Sequence, residues 1–149
     1  MAELKHPTPE LKVRDIMVTQ VHRITPHMKV SEAVELLVKH MISGAPVVDA
    51  MDHVISIMGE GDALRMAAMY GLEATVSHCL PHLTATDKVI TLTETGTFAD
   101  AYRIFLKNKI HRIPIVDGNG NLKGLVTRST LLLLFVEAHY GKKISRSSK

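Results

Sequence analysis

The sequence contains no tryptophan, three tyrosines, three phenylalanines and a single cysteine, Cys79. A chain with one cysteine forms no internal disulfide bond, which favours a reducing compartment such as the cytoplasm. Because aromatic side chains are scarce, a core must be built from Val, Ile, Leu, Met and Ala. The chain has 149 residues, 46% of them hydrophobic, which is enough for one domain or for two small domains packed together.

Long apolar runs are also missing from the sequence. The longest strongly apolar run is residues 131–136 (LLLLFV), far shorter than the roughly 20 residues that a membrane-spanning helix needs. The first twelve residues (MAELKHPTPELK) lack the apolar stretch of a secretory signal peptide. The sequence therefore predicts a cytoplasmic protein with no membrane partner.

Clustered basic charge is absent from the body of the chain. Four of the 18 Lys and Arg residues follow Tyr140 with no acidic residue among them, so residues 1–140 hold 14 basic and 15 acidic side chains. A nucleic-acid-binding domain normally gathers Lys and Arg on one face, so we expect no nucleic-acid partner. Residues 1–10 and 141–149 are expected to be flexible termini, and an anionic partner for the basic tail is the alternative.

Signatures of catalysis and of metal binding are missing as well. Cys79 has none of the sequence contexts that surround catalytic cysteines, and it is better explained as a small buried hydrophobic residue. Residues 59–61 (GEG) lack the spacing and the lysine of a phosphate-binding loop. His78 and His82 are four residues apart, but Pro81 between them argues against a helical metal pair. We therefore predict no catalytic residue, no metal site and no required cofactor.

An internal repeat organises the chain. Residues 43–49 (SGAPVVD) and 111–117 (HRIPIVD) read alike, and Pro46 and Pro114 within them are 68 positions apart. The same offset relates Ala33 to Ala101 and Val21 to Val89. A constant offset over this length indicates two copies of one structural unit.

Each copy has the pattern strand, helix, strand, hairpin, strand, helix. Ser31 is the predicted N-cap of the first helix, and Thr97 to Asp100 is typical of a capping box at the matching helix of the second copy. Residues 117–121 (DGNGN) carry the strongest hairpin signal. The second copy has extra length at residues 77–88, which we interpret as a longer loop. A three-stranded sheet with two helices leaves one sheet face open, so the two copies are expected to cover each other.

Several short motifs occur in a fixed order along the two copies. They are residues 13–17 (VRDIM), 31–33 (SEA), 45–49 (APVVD), 113–117 (IPIVD) and 124–131 (GLVTRSTL). In this order and at this offset they resemble a tandem pair of CBS domains, named after cystathionine β-synthase. Residues 108–114 (NKIHRIP) are especially similar to a nucleotide-sensing repeat in the γ subunit of AMP-activated protein kinase.

The resemblance implies an α/β fold of two α+β units, CBS repeat 1 at residues 11–70 and CBS repeat 2 at residues 73–138. Each unit would be a small three-stranded sheet with two helices, packed sheet to sheet in pseudo-two-fold symmetry, with clefts between the units. The family's clefts often hold AMP, ADP or ATP, and in some members S-adenosylmethionine, NAD or a cyclic dinucleotide such as cyclic di-AMP. The implied function is a regulatory adenine-nucleotide sensor without catalysis.

Asp62 matches the family's ribose-binding aspartate, although a helix N-cap is the simpler interpretation. Thr130 stands where the second copy would have that aspartate, and Gly59 stands where the first copy would match Thr127. We therefore expect one good cleft that uses Asp62 and a weakened one near Thr130, where the Thr127 hydroxyl is a candidate ligand contact.

The remaining binding residues follow from the same resemblance. His111, Arg112 and Arg128 are candidates for phosphate, because Arg and protonated His donate charged hydrogen bonds; solvated surface side chains are the alternative. The candidates for contact with the base or ribose are Ala45, Pro46, Val47 and Ile24 in one cleft, Ile113 and Ile115 in the other, and Thr19 and Thr25 beside the first strand. Most of these side chains are equally consistent with plain core packing.

A ligand-free dimerisation or interaction scaffold is the rival function. The Met-containing stretch 64–70 and the apolar stretch 129–140 are suited to packing against a partner. The flexible side chain of Met suits adaptable interfaces. We expect a homodimer and an effector protein whose identity the sequence does not reveal.

Overall fold

The structure is a computed structural model and describes residues 9–85 and 89–141. Its helices are α1 (Val30–Lys39), α2 (Glu60–Tyr70), α3 (Val76–Cys79), α4 (Phe98–Lys107) and α5 (Arg128–Tyr140), with 3-10 turns at Val13–Asp15 and Leu80–His82. Its strands are β1 (Gly44–Val48), β2 (Val54–Gly59), β3 (Leu92–Thr93), β4 (Arg112–Val116) and β5 (Leu122–Thr127). β1 and β4, which contain Pro46 and Pro114, coincide with the motifs at residues 45–49 and 113–117, each displaced by one residue.

Contacts divide the described chain into two compact units. The first unit holds residues 21–85, Val89 and residues 119–122, and the second holds residues 9–20, 90–118 and 123–141. These units follow contacts, whereas the predicted repeats at 11–70 and 73–138 follow sequence similarity. The division by contacts does not test the predicted repeat boundaries, which stay a prediction.

The first unit is built on an antiparallel pair of strands. β1 pairs with β2, with Pro46 opposite Ile57, and Ile24 adds a parallel bridge to Val47. All five residues of β1 are buried. The aliphatic and Met side chains of the core, as composition predicted, include Ile24, Val30, Leu37, Val47, Met58, Met66, Val76 and Leu83.

The second unit contains the predicted three-stranded sheet. Its order is β3-β4-β5, and β3 runs parallel to β4 with Leu92 opposite Ile115. The segment that precedes residue 20 joins this unit through a bridge between Val18 and Leu125. The buried core of this unit includes Val13, Ile16, Phe98, Ala101, Phe105, Ile113, Ile115, Val126 and Leu131.

The helix starts were predicted with mixed success. The capping box of α4 is confirmed, because Thr97 Oγ1 accepts from Asp100 N at 3.2 Å and Asp100 Oδ2 accepts from Thr97 N at 3.0 Å. The prediction that Ser31 caps α1 is wrong, since α1 begins at Val30 and the N-cap is Lys29. Glu32 Oε1 accepts from Lys29 N at 3.0 Å, which satisfies the helix end without Ser31.

The predicted loop at residues 77–88 is partly helical. Thr75 Oγ1 accepts from His78 N at 3.3 Å and starts α3, which a 3-10 turn containing Pro81 follows. Proline fits the first turn of a helix because an N–H at that position has no intrahelical partner. Residues 86–88 and most of the two predicted flexible termini lie outside the described residues. None of the helices in the described ranges is long and apolar enough to cross a membrane.

Candidate functional site

Asp62 lies at the point where β2 passes into α2. Gly59 ends the strand in an extended conformation, and Asp62 is the third residue of the helix that follows. Its Oδ2 accepts from Gly59 N at 3.0 Å, so the carboxylate caps the helix from its first turn, where negative charge is favoured. The N-cap itself is Gly59, and the interpretation of Asp62 as the N-cap is therefore wrong by three residues.

Asp62 is 4% exposed, and its carboxylate accepts further hydrogen bonds. Oδ1 accepts from Arg65 Nη2 at 2.6 Å and from Thr84 N at 3.1 Å, while Oδ2 accepts from Thr84 Oγ1 at 3.3 Å. We call Asp62, Arg65 and Thr84 the Asp62 latch. A carboxylate has about four lone-pair positions, and four protein donors occupy them here. A ribose diol at Asp62 must therefore displace a donor of the latch.

Sequence reasoning missed both partners of Asp62. Arg65 is three residues further along the same helix, a spacing that brings side chains together, and this pattern was available in the sequence. Thr84 is 22 residues from Asp62, and nothing in the local pattern indicates that contact. Arg65 Nη2 also donates to His82 O at 3.2 Å, which ties the same segment to α2.

The predicted adenine wall of the first unit is a contiguous part of the core. Ile24, Ala45 and Val47 are at most 1% exposed, and Pro46 O accepts from Ile24 N at 2.9 Å. Thr25 follows Ile24, is partly exposed, and accepts through its carbonyl from Met28 N at 3.1 Å. The structure thus brings Ile24 next to Pro46 and Val47, as the prediction of a shared wall requires. Their side chains, however, are packed in the core of the unit.

In the second unit a neutral pair replaces the carboxylate. Thr127 is the N-cap of α5, and its Oγ1 accepts from Thr130 N at 3.3 Å and lies 3.1 Å from Thr130 Oγ1. Thr130 is 6% exposed, as buried as Asp62 at the matching position. Two hydroxyls bonded to each other supply no negative charge for a ribose diol, and the weaker site near Thr130 stays a prediction.

The candidate phosphate residues occupy the same unit. His111 is exposed, Arg112 opens β4 half-buried, and Arg128 N donates to His111 O at 3.4 Å. The Arg128 side chain lines a groove between α4 and α5 beside Phe105 and Leu132. Of the other predicted residues, Thr19 is exposed in this unit, whereas Ile113 and Ile115 are fully buried core. Asp62 belongs to the first unit, and a ligand role for the whole set stays a prediction.

Cys79 has the surroundings of a structural cysteine. It is fully buried, and burial raises the pKa of its thiol. A buried thiol that stays protonated is a poor nucleophile. Within residues 9–85 and 89–141, no group of three or more His, Cys, Asp or Glu side chains is placed to hold a metal ion.

Comparison with known proteins identifies the repeated unit. The family model of the CBS domain matches residues 13–68 and again residues 82–137. The sequence is 27% identical over 128 residues to an uncharacterized 17.7 kDa protein of Acidianus ambivalens, an alignment that covers 86% of this chain and 75% of that protein.

Two further relatives are larger than this chain. It is 36% identical over 104 residues to inosine-5'-monophosphate dehydrogenase of Aquifex aeolicus, which covers 70% of this chain and 20% of the enzyme. It is 26% identical over 136 residues to the chloroplastic protein CBSX1 of Arabidopsis thaliana, which covers 75% of this chain and 58% of CBSX1.

Solved structures agree with this assignment. The crystal structure of CBSX2 in complex with AMP, an Arabidopsis thaliana protein, superposes with a TM-score of 0.74 at 25% identity and covers 87% of this chain and 98% of that one. Protein MJ1225 of Methanocaldococcus jannaschii, a proposed archaeal homologue of g-AMPK, superposes with a TM-score of 0.74 at 18% identity, covering 85% of this chain and 48% of that one. The second likeness concerns the fold alone.

Proposed function

The chain belongs to the CBS-domain family, as two CBS domains in tandem, and we propose that it is a regulatory module that binds an adenine nucleotide and performs no catalysis. The AMP complex of CBSX2 supports an adenosyl ligand. AMP, ADP and ATP are the proposed ligands, with S-adenosylmethionine, NAD and cyclic di-AMP as competitors to be tested. The proposed location is the cytoplasm.

The observation that carries this proposal is the carboxylate of Asp62. It sits at the strand-to-helix turn, at the position that matches the family's ribose-binding aspartate, and it is buried. An ionised carboxylate accepts the two O–H bonds of a ribose diol, and such charge-assisted bonds are strong. His111, Arg112 and Arg128 are the proposed donors to phosphate, and the Thr127 hydroxyl is a proposed ligand contact.

Binding at Asp62 would exchange protein donors for ribose hydroxyls. Thr84 is the donor that a ligand displaces most easily, because its hydroxyl bond at 3.3 Å is long, whereas the Arg65 pair at 2.6 Å is short and charged. The exchange would free the Thr84 hydroxyl, and full release of Thr84 from α2 would also break the bond from Thr84 N to Asp62 Oδ1 at 3.1 Å. A ligand that binds the released state better than the latched state shifts the populations of the two states. An effector protein would detect this change in population.

Calorimetric titration of the chain with the six named ligands tests the proposal. We expect one adenine nucleotide to bind at about one site per chain. Asp62→Asn keeps the side-chain shape but removes the charge, and should weaken binding by about 1–3 kcal/mol. Thr130→Ala, at the matching position of the second unit, is the control and should change binding little. Thermal unfolding of both variants comes first, because Asp62 also holds Thr84 and Gly59.

Equal losses from the two variants would contradict the prediction of one good site. Absence of heat with all six ligands would contradict nucleotide binding itself. The second candidate function, an interaction scaffold that forms a homodimer or holds an effector protein, would then be favoured. The observation that favours it is the exposure of large apolar side chains on α2 and α5, with Leu64 75% and Leu132 65% exposed.

A further inference from the structure

Residues 75–85 form a segment of the first unit that we call the strap. It contains α3 and the 3-10 turn with Pro81. It packs on the core of the unit through Val76, Cys79 and Leu83, each of which is at most 4% exposed. The two ends of the strap are held by different kinds of hydrogen bond, and this difference indicates which end can move.

The first end of the strap is held by backbone hydrogen bonds. Val76 N donates to Met28 O at 2.8 Å, and Ser77 N donates to Pro26 O at 2.9 Å. These bonds join the strap to the segment that leads into α1. No side chain takes part in them, so a ligand that exchanges side-chain partners leaves this end in place.

The far end of the strap is held by the Asp62 latch. Thr84 N and Thr84 Oγ1 donate to the two carboxylate oxygens of Asp62 at 3.1 Å and 3.3 Å. Arg65 Nη2 donates to His82 O at 3.2 Å. Thr84 and His82 are exposed. Segments held by a few solvent-exposed hydrogen bonds open at a low free-energy cost, so the strap should open from this end.

The second unit contains a matching segment that is closed without a latch. Residues 12–17 correspond to residues 75–80 of the strap, because both segments bridge the N-cap residue of a long helix. The matching segment continues into two backbone bonds of 2.9 Å between Val18 and Leu125. Ile57 is the counterpart of Leu125, and it makes no such pair of bonds with any residue in 9–85 or 89–141. The strap therefore lacks the backbone closure that its counterpart has.

A buried hydroxyl makes closure of the first unit less favourable. Ser56 is 1% exposed, and its Oγ has no hydrogen-bond partner among the described residues. Its counterpart is Gly124, where a side chain would collide with Met17 of the matching segment. By the same correspondence, Leu80 of the strap takes the place of Met17, which puts Ser56 on the side of β2 that the strap covers. An unsatisfied buried hydroxyl is costly, and water would satisfy it once the strap lifts.

We propose that the strap is a lid with two states, closed while the Asp62 latch is made and open when it is broken, and that only the open state admits a ligand to Asp62. In the closed state the N–H and O–H of Thr84 occupy both carboxylate oxygens, as two ribose hydroxyls would. The closed strap thus inhibits the site, and the apparent affinity falls with the fraction of closed chains. Admission of a ligand rests on the proposed function, whereas opening of the strap does not.

The reactivity of Cys79 measures opening, because it is the only cysteine of the chain and it is fully buried in the strap. A nitrophenyl disulfide reagent exchanges with its thiolate and releases a coloured thiolate, which gives the rate for the full native chain. Opening of the strap exposes little surface, so the rate should be nearly constant at low urea concentrations. A rate that rises from the start with the steep urea dependence of global unfolding would overturn the proposal.

Two variants should move this rate in opposite directions. Thr84→Val removes one bond of the latch and should accelerate the reaction about threefold to tenfold. Ser56→Ala removes the unsatisfied hydroxyl from the closed state and should slow it by a similar factor. Thr95→Val, an exposed threonine of the second unit, is the control and should leave the rate unchanged. Thermal unfolding shows that each variant folds. A slower Thr84→Val or a faster Ser56→Ala would contradict the two-state strap.

AMP is the probe for admission of a ligand. Calorimetry first establishes whether AMP binds the native chain. If it binds, a saturating concentration should accelerate the reaction of Cys79 at least about threefold, since the ligand holds the strap open. A rate that bound AMP leaves unchanged or lowers would overturn the claim that the open state admits the ligand. If AMP does not bind, the proposed function loses its support, while the rates without ligand still decide whether the strap opens.

Discussion

Asp62 illustrates how one side chain joins local structure and function. Its negative charge is favoured at the start of α2, and Gly59 N, Arg65 and Thr84 saturate its oxygens. A buried carboxylate without these donors would be strongly destabilising, so the structural role alone justifies the residue. A ligand role requires that the donors be exchangeable, and this requirement is specific enough to test.

Thr84→Val removes the hydroxyl that competes for Asp62 while preserving side-chain shape. If a ribose hydroxyl takes that position, nucleotide affinity should rise by about twofold to tenfold, the value of one hydrogen bond. Calorimetry with the ligand identified for the native chain measures the effect. Thr95→Val, an exposed threonine of the second unit, is the matched control and should leave affinity unchanged. Weaker binding by Thr84→Val would show that the hydroxyl contacts the ligand instead of competing with it.

The helices differ in how the backbone N–H groups of their first turns find hydrogen-bond acceptors. α4 uses a reciprocal box in which Thr97 and Asp100 satisfy each other's backbone N–H groups. α1 has only half of this arrangement, the bond from Lys29 N to Glu32, and Ser31 N donates instead to Leu72 O at 3.0 Å. Serine is a frequent N-cap, but here the chain geometry placed the helix start two residues earlier.

Thr97→Ala and Ser31→Ala are a matched pair of variants that compare a capping side chain with one that does not cap its helix. Thr97→Ala should lower the free energy of unfolding by about 1 kcal/mol, because Asp100 N loses its acceptor. Ser31→Ala should change it by less than about 0.5 kcal/mol, as expected at a site away from caps and core. Urea denaturation followed by circular dichroism measures both. Equal losses would mean that the Ser31 hydroxyl caps α1 in solution.

For the folded molecule as a whole, one histidine pair links stability to pH. The His22 and His40 rings are stacked with centroids 3.7 Å apart and planes 19° from parallel. Burial, followed by the charge of His40, lowers the pKa of His22 below its ordinary value of 6.5. The unfolded chain then binds more protons than the folded chain between the two pKa values, so stability rises with pH in that window.

The urea midpoint of the native chain should therefore fall as pH drops through 6.5 towards the lower folded pKa of His22. His22→Gln removes this titration and should flatten the decline between pH 7.5 and pH 5.5, the window chosen around about 6.5. His27→Gln, an exposed histidine of the same unit, is the control and should keep the native slope. Identical slopes for the native chain and His22→Gln would exclude the stacked pair as the cause.

The repeat offset, the strand and helix pattern and the motif order in the sequence were sufficient to predict a tandem CBS pair, and the family match confirms it. These features depend on short-range chemistry: alternating burial, caps such as Thr97, and turns are encoded within a few residues. Asp62 was singled out because it matches a position of the family motif, and its ligand role stays a prediction.

Contacts between distant residues were not predictable from such patterns. The bond from Thr84 to Asp62, the grouping of residues 9–20 with the second unit, and the burial of the candidate adenine wall all depend on packing across long sequence separations. Many alternative partners satisfy the same local rules, and only simultaneous packing of the core selects among them.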